Sequence, residues 1–166
     1  MFYEKPFKHH IIDNFFDDNT LRHCVKYLQS FNKRQNNHTV VKDKRLLDYF
    51  DSIFTEEYIK TNFPKHRPYE SLESVAEVNI CTEDFMYPVH DEAIYKVLSV
   101  VVYIAPLYSN GTFLFNSSQQ LQKQITWKRN RAFIFAGLPD VTWHSYGHWD
   151  STTRVTLNYF KKYFKR

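Results

Sequence analysis

Apolar residues recur along this chain at two spacings, and the change from one to the other divides it. Leu21, Cys24, Val25, Leu28 and Phe31 return every three or four residues, which predicts an amphipathic helix over 20–31, capped near Asp18 or Asn19. Leu47, Tyr49, Phe50, Ile53, Phe54 and Tyr58 predict a second helix over 46–58, stopped before Pro64. Ahead of the first, His10-Ile11-Ile12-Asp13 reads as a short strand; between the two, 32–38 is a polar linker and Val40-Val41 is too short to assign. Residues 64–73 are loop-like and mark the change of period.

Beyond that point the spacing is two. Residues 76–81 alternate like a half-buried strand, and 85–90 run extended into His90. Residues 97–105 form a β-branched run too apolar for a sheet edge, ended by Pro106. Asn110-Gly111 is a hairpin signal with 112–115 as its returning strand, and further strands are expected at 124–127, 131–136, 141–146 and 154–160. Short strands at close spacing predict a β-sandwich or barrel, mainly β with some α, whose N-terminal helices pack on its outer face.

Length and composition sharpen this picture. A chain of 166 residues fits one domain, 1–166, with a helical N-terminal cover (1–70) and a β core (71–166), and buries roughly 70% of its unfolded surface. Aromatics at 18% with three glycines require a core of bulky side chains and argue against disorder. The net charge of +4 is mild, and the basic run 161–166 reads as a solvated tail. Cys24 and Cys81 have no CxxC partner, so a reducing, cytoplasmic setting is expected. The N-terminus lacks a signal-peptide pattern and no apolar run approaches the ~20 residues of a membrane span.

Three side chains could hold a metal. His90 and Glu92 stand at i and i+2, hence on one face of an extended chain, while Asp91 points the other way. His144, brought back by the folding of the sheet, would complete two imidazoles and one carboxylate, the facial set of non-haem Fe(II) oxygenases. Arg154 follows at the head of the next strand, with Thr156 and Asn158 on its face. His148 forms a His-x3-His pair with His144, but in extended chain the two lie roughly 13 Å apart, too far to share an ion, so His148 is expected in a loop. The remaining histidines have no useful partner spacing and Lys96 reads as a solvated lysine. The tryptophans read as packing, at the core or the rim.

With His90-x-Glu92, His144 and Arg154 in place, and Tyr103-Ile-Ala-Pro106 followed by Asn110-Gly-Thr-Phe-Leu-Phe115, the stretch 75–163 resembles the 2-oxoglutarate and Fe(II)-dependent dioxygenases, in their prolyl-hydroxylase-like branch. The resemblance implies a double-stranded β-helix (jelly roll) with Fe(II) held by His90, Glu92 and His144. It also implies 2-oxoglutarate held at its far carboxylate by Arg154 and Thr156, with Tyr103 as a phenolic donor. O2 and 2-oxoglutarate would be consumed, ascorbate would serve as reductant, and a substrate C–H bond would be hydroxylated with release of succinate and CO2. The substrate implied is a prolyl or other amino-acid side chain, in a peptide or a small molecule. Glutamate stands where aspartate is commoner in the family; the family's halogenases lack this carboxylate, so Glu92 favours hydroxylation. Two further readings stay open: a cupin-like metal-binding module without catalysis, and a nucleic-acid demethylase. The nucleobase-repair subgroup has a second arginine where this chain has Phe160, and a tyrosine where it has Cys81, which argues against the latter.

Overall fold

Strict alternation in one strand sets the layering. In β11 (Arg154–Tyr163), Val155, Leu157 and Tyr159 turn outward into the larger hydrophobic cluster, while Arg154, Thr156 and Asn158 turn inward. The computed structural model describes residues 1–31, 37–63, 72–82, 85–148 and 152–163. Along them run β1 (Phe2–Tyr3), β2 (His9–Ile12), α1 (Asp18–Leu28), β3 (Asn37–Val40), α2 (Lys44–Ile53), α3 (Glu56–Asn62), β4 (Leu72–Cys81), β5 (Phe85–His90), β6 (Lys96–Ala105), β7 (Thr112–Phe115), β8 (Leu121–Ile125), β9 (Ala132–Ala136) and β10 (His144–His148), ahead of β11.

The strands form two antiparallel sheets. The larger has the order β1-β2-β9-β6-β11-β4-β3 and the smaller β5-β10-β7-β8. Sequence neighbours such as β6 and β7 lie in different sheets, which is the winding of a jelly roll. The Asn110-Gly111 hairpin expected between them therefore does not exist. Gly111 serves a different need: a Cβ there would collide with the carbonyl of Ile125, so the backbone can cross between the sheets only without a side chain.

On the outer face of the larger sheet lie the helices. Phe50 of α2 stacks on Tyr159 at 4.7 Å, and Phe15, Phe54, Ile59, Val78, Val100 and Leu157 join the same cluster. Truncating Phe50 to alanine would cost about 3–5 kcal/mol, the range for a large buried aromatic. Between the sheets sits a second, aromatic cluster of Phe7, Tyr103, Leu114, Ile125, Trp127, Phe133 and Phe135. It closes one end of the sandwich and leaves the other end polar.

Several local expectations change. The single helix over 46–58 is two, because Phe54 leaves the helical conformation and the Thr55 hydroxyl accepts from the Tyr58 N–H to start α3. The cap of α1 is Asp17, one residue earlier than expected, accepting from the Thr20 N–H at 2.9 Å. The segment before residue 71 supplies three strands as well as helices, since β1, β2 and β3 all join the larger sheet. Arg131 pairs with Asp13 at 2.6 Å and His23 with Asp43 at 2.7 Å, contacts between elements that no sequence spacing announces. No helix among the described residues is long and apolar enough to cross a membrane.

Candidate active site

At the polar end of the sandwich, β5 and β10 place two histidines opposite each other. His90 ends β5, His144 begins β10, the two are register partners, and their ring centroids are 4.2 Å apart. Each Nδ1 lies against a backbone carbonyl, that of Pro88 at 2.9 Å for His90 and that of Thr142 at 2.8 Å for His144. A carbonyl can only accept, so each Nδ1 carries the proton and donates, which leaves each Nε2 with a free lone pair. Burial lowers the pKa of both rings, that of His144 to about 4. Both are thus neutral near pH 7, the form that binds a metal.

Glu92 is buried in the same cleft. Its Oε1 accepts from the Ser99 hydroxyl at 2.7 Å, and its Oε2 lies 2.8 Å from the Lys96 ammonium. Burial pushes this carboxyl up, but the Lys96 ammonium and the Ser99 hydroxyl favour the charged form, and the net shift is downward. The donor set of two imidazoles and one carboxylate suits Fe(II). Among the described residues, however, no three His, Cys, Asp or Glu side chains converge closely enough to hold an ion as they stand. The histidines are oriented for it; the Glu92 carboxylate faces Lys96 and Ser99. Asp91 is engaged elsewhere, accepting from the Asp140 N–H at 2.8 Å.

Arg154 carries the strongest chemical signal. It is 1% exposed, its Nε donates to the Asn110 carbonyl at 3.4 Å, and neither terminal nitrogen has a hydrogen-bond partner among the described residues. The guanidinium lies over the rings of Tyr146 and Trp127, at 4.9 and 5.2 Å. Two residues on, the buried Thr156 hydroxyl is also unpartnered. Leaving a buried charge unpaired costs roughly 3–5 kcal/mol, so this fork of donors is built for an anion. Both residues line the cleft of about 400 Å³ that holds His90, Glu92 and His144.

Of the residues to which the resemblance gave a role, His90, Glu92, His144, Arg154 and Thr156 line this cleft and Tyr103 does not. Tyr103 lies in the aromatic cluster, stacked on Trp127 at 4.5 Å, with its hydroxyl 2.8 Å from that of Thr112. Tyr87 and Tyr146 do line the cleft, and Tyr146 accepts from the Asn79 amide at 2.8 Å. Its i+2 spacing from His144 is the signal that could have found it. Lys96 is not a solvated lysine but lines the cleft, its ammonium 3.8 Å from the centre of the Phe160 ring. His148 is no loop residue: it ends β10, fully buried, with Nδ1 3.0 Å from the Ser109 hydroxyl and Nε2 2.6 Å from the Thr152 carbonyl. His38 also lines the cleft, while His66 and Trp149 lie outside the described residues.

Solved structures share this fold over nearly the whole chain. The viral collagen prolyl hydroxylase of Paramecium Bursaria Chlorella virus-1, in its 2OG complex, matches with a TM-score of 0.70 over 95% of this chain and 96% of that one, at 14% identity. A Pseudomonas putida prolyl 4-hydroxylase matches with a TM-score of 0.71 over 95% and 93%, at 9% identity. A Trichoplax adhaerens prolyl hydroxylase in complex with a hypoxia inducible factor oxygen degradation domain peptide fragment matches with 0.68 over 93% and 83%, at 10% identity. No family sequence profile and no curated protein matches the chain. The likeness is one of fold: this is the jelly roll of the 2-oxoglutarate oxygenases.

Proposed function

We propose that the chain is an Fe(II)- and 2-oxoglutarate-dependent dioxygenase that hydroxylates a substrate C–H bond, with a prolyl or other amino-acid side chain as its target. The observation that carries this reading is Arg154, a buried guanidinium with both terminal nitrogens unpartnered, beside the unpartnered Thr156 hydroxyl and in one cleft with an oriented histidine pair. A metal-binding module without a dicarboxylate cosubstrate has no use for such a clamp, which disfavours the cupin-like alternative. Phe160 where a second arginine would be needed disfavours nucleobase repair.

The chain's own residues divide the work. His90 and His144 present Nε2 lone pairs, and Glu92 would be the anionic ligand of a bound Fe(II), in place of its contact with Lys96. Arg154 receives the far carboxylate of 2-oxoglutarate bidentately, a geometry a lysine does not reproduce, and Thr156 adds a hydroxyl donor. Tyr146, stacked on Tyr87 at 4.9 Å, walls the cleft and limits the entry of water. Bound Fe(II), with O2 and 2-oxoglutarate, supplies the oxidising power, with succinate and CO2 as the coproducts. A polypeptide target is supported by the peptide bound in the Trichoplax adhaerens neighbour.

Purified protein supplied with Fe(II), ascorbate and 2-oxoglutarate should release succinate slowly without substrate. Absence of both succinate and 2-oxoglutarate binding would overturn the proposal.

A further inference from the structure

The cleft holds acceptors that neither the metal site nor the carboxylate clamp uses. Glu77 of β4 and Asn158 of β11 are register partners on the inner face of the larger sheet, and both line the cleft. The Asn158 Oδ1 is buried without a hydrogen-bond donor among the described residues, in a residue 9% exposed. Half-buried beside it, the Glu77 carboxylate has no hydrogen bond and no ion pair among the described residues. Of the nearby protein cations, Lys96 faces Glu92 at 2.8 Å, and Arg154 lies two inward-facing positions away along β11, past Thr156, in the clamp assigned to 2-oxoglutarate.

A half-buried carboxylate and a buried amide oxygen side by side in a cleft are complementary to a cation with several N–H donors. We infer that Glu77 and Asn158 form a subsite for an ammonium group of the substrate, carried either by a free amino acid's α-nitrogen or by a lysyl side chain. The inference rests on the oxygenase reading only in taking the bound molecule to be the substrate. Across the cleft, the stacked rings of Tyr87 and Tyr146 offer an apolar wall for the carbon skeleton. Such a site selects by charge. A neutral amide of the same shape would leave Glu77 unpaired and buried further.

Calorimetric titration with two matched pairs tests this. L-Prolinamide and its N-acetyl derivative differ by an α-ammonium; Nα-acetyl-L-lysine methylamide and its Nε-acetyl derivative differ by a side-chain ammonium. One arm uses protein with Fe(II) and 2-oxoglutarate under argon, the other protein without metal. The metal-free arm remains readable if the oxygenase reading fails, because neither Glu77 nor Asn158 is a metal ligand. In at least one pair the ammonium compound should bind about tenfold more tightly, the worth of one charge-assisted contact, and which pair does so identifies the source of the group. Glu77→Gln should abolish that preference and Asn158→Asp should enlarge it. A preference below fivefold in both pairs, no binding of either ammonium compound, or a preference unchanged in both variants overturns the subsite.

Discussion

Lys96 Nζ stands 2.8 Å from Glu92 Oε2, so the carboxylate expected to ligate a metal is held by a protein cation. The ammonium and a divalent ion would compete for the same oxygen. Lys96→Met should therefore lower the thermal stability of the metal-free protein, by roughly 1–3 kcal/mol, because the buried Glu92 loses its partner. It should also enlarge the stabilisation that added Mn(II) provides, since the ion no longer displaces a lysine. Thermal melts of both proteins with and without Mn(II) read the two effects; an equal or smaller Mn(II) shift in the variant would mean that Lys96 and the metal do not compete.

Arg154 leads to an opposite pairing of stability and affinity. Its terminal nitrogens are buried and unpartnered, so the ligand-free protein carries an uncompensated charge. Arg154→Met keeps the bulk against Tyr146 and Trp127 while removing that charge, and the melting temperature without ligand should hold or rise. The stabilisation by 2-oxoglutarate should vanish, with affinity down about 100-fold, while Mn(II) binding is unchanged. A variant that still gains the full shift with 2-oxoglutarate would remove Arg154 from the clamp.

The site was legible in the sequence to the extent that its residues obey strand parity. Arg154 and Thr156 share the inner face of β11 at i and i+2, whereas His90 ends β5 and Glu92 follows in the loop beyond it, and all four line one cleft. Parity could not say which sheet a strand joins. Tyr103 has the right parity on β6, yet its hydroxyl meets Thr112 within the sandwich, whereas Tyr146 on the opposite sheet lines the cleft. Partnerships across the fold were invisible for the same reason. Glu77 to Asn158 depends on how β4 and β11 are laid side by side, and one sequence carries no record of that register; Lys96 to Glu92 is only four residues apart, but the loop between them has no period from which the contact could be read. The expected hairpin at Asn110-Gly111 failed because a local turn signal cannot distinguish a reversal within a sheet from a crossing between sheets.

Asp13 gives an acid-stability prediction. Arg131 above all, with Lys128, holds its carboxyl at about 2, below the ordinary value of 3.8, against a smaller opposing effect of burial. The folded state thus binds the proton less readily than the unfolded state. The stabilisation is full above about pH 4 and is lost as the pH falls toward 2. Because the pair is partly exposed, solvent screening leaves about 1 kcal/mol. Asp13→Asn should lower stability at pH 6 by that amount and flatten its pH dependence between 4 and 2, as followed by urea melts. Identical slopes in the two proteins would show that Asp13 contributes nothing to acid unfolding.

Tyr146 and Tyr103 can be separated by the same conservative change. The Tyr146 hydroxyl accepts from the Asn79 amide, and its ring lies 4.9 Å from the Arg154 guanidinium, so it helps fix the clamp. Tyr146→Phe would leave the Asn79 amide without its acceptor beside the pocket anion, at a cost of about 1 kcal/mol or roughly fivefold in 2-oxoglutarate affinity. Tyr103 is fully buried and does not line the cleft; its hydroxyl lies 2.8 Å from that of Thr112, which does. Tyr103→Phe should therefore lower overall stability by a comparable amount while changing the 2-oxoglutarate affinity less than Tyr146→Phe does. Isothermal titration of 2-oxoglutarate into the Mn(II)-loaded variants gives the order; a larger loss in Tyr103→Phe would restore Tyr103 as the phenolic donor.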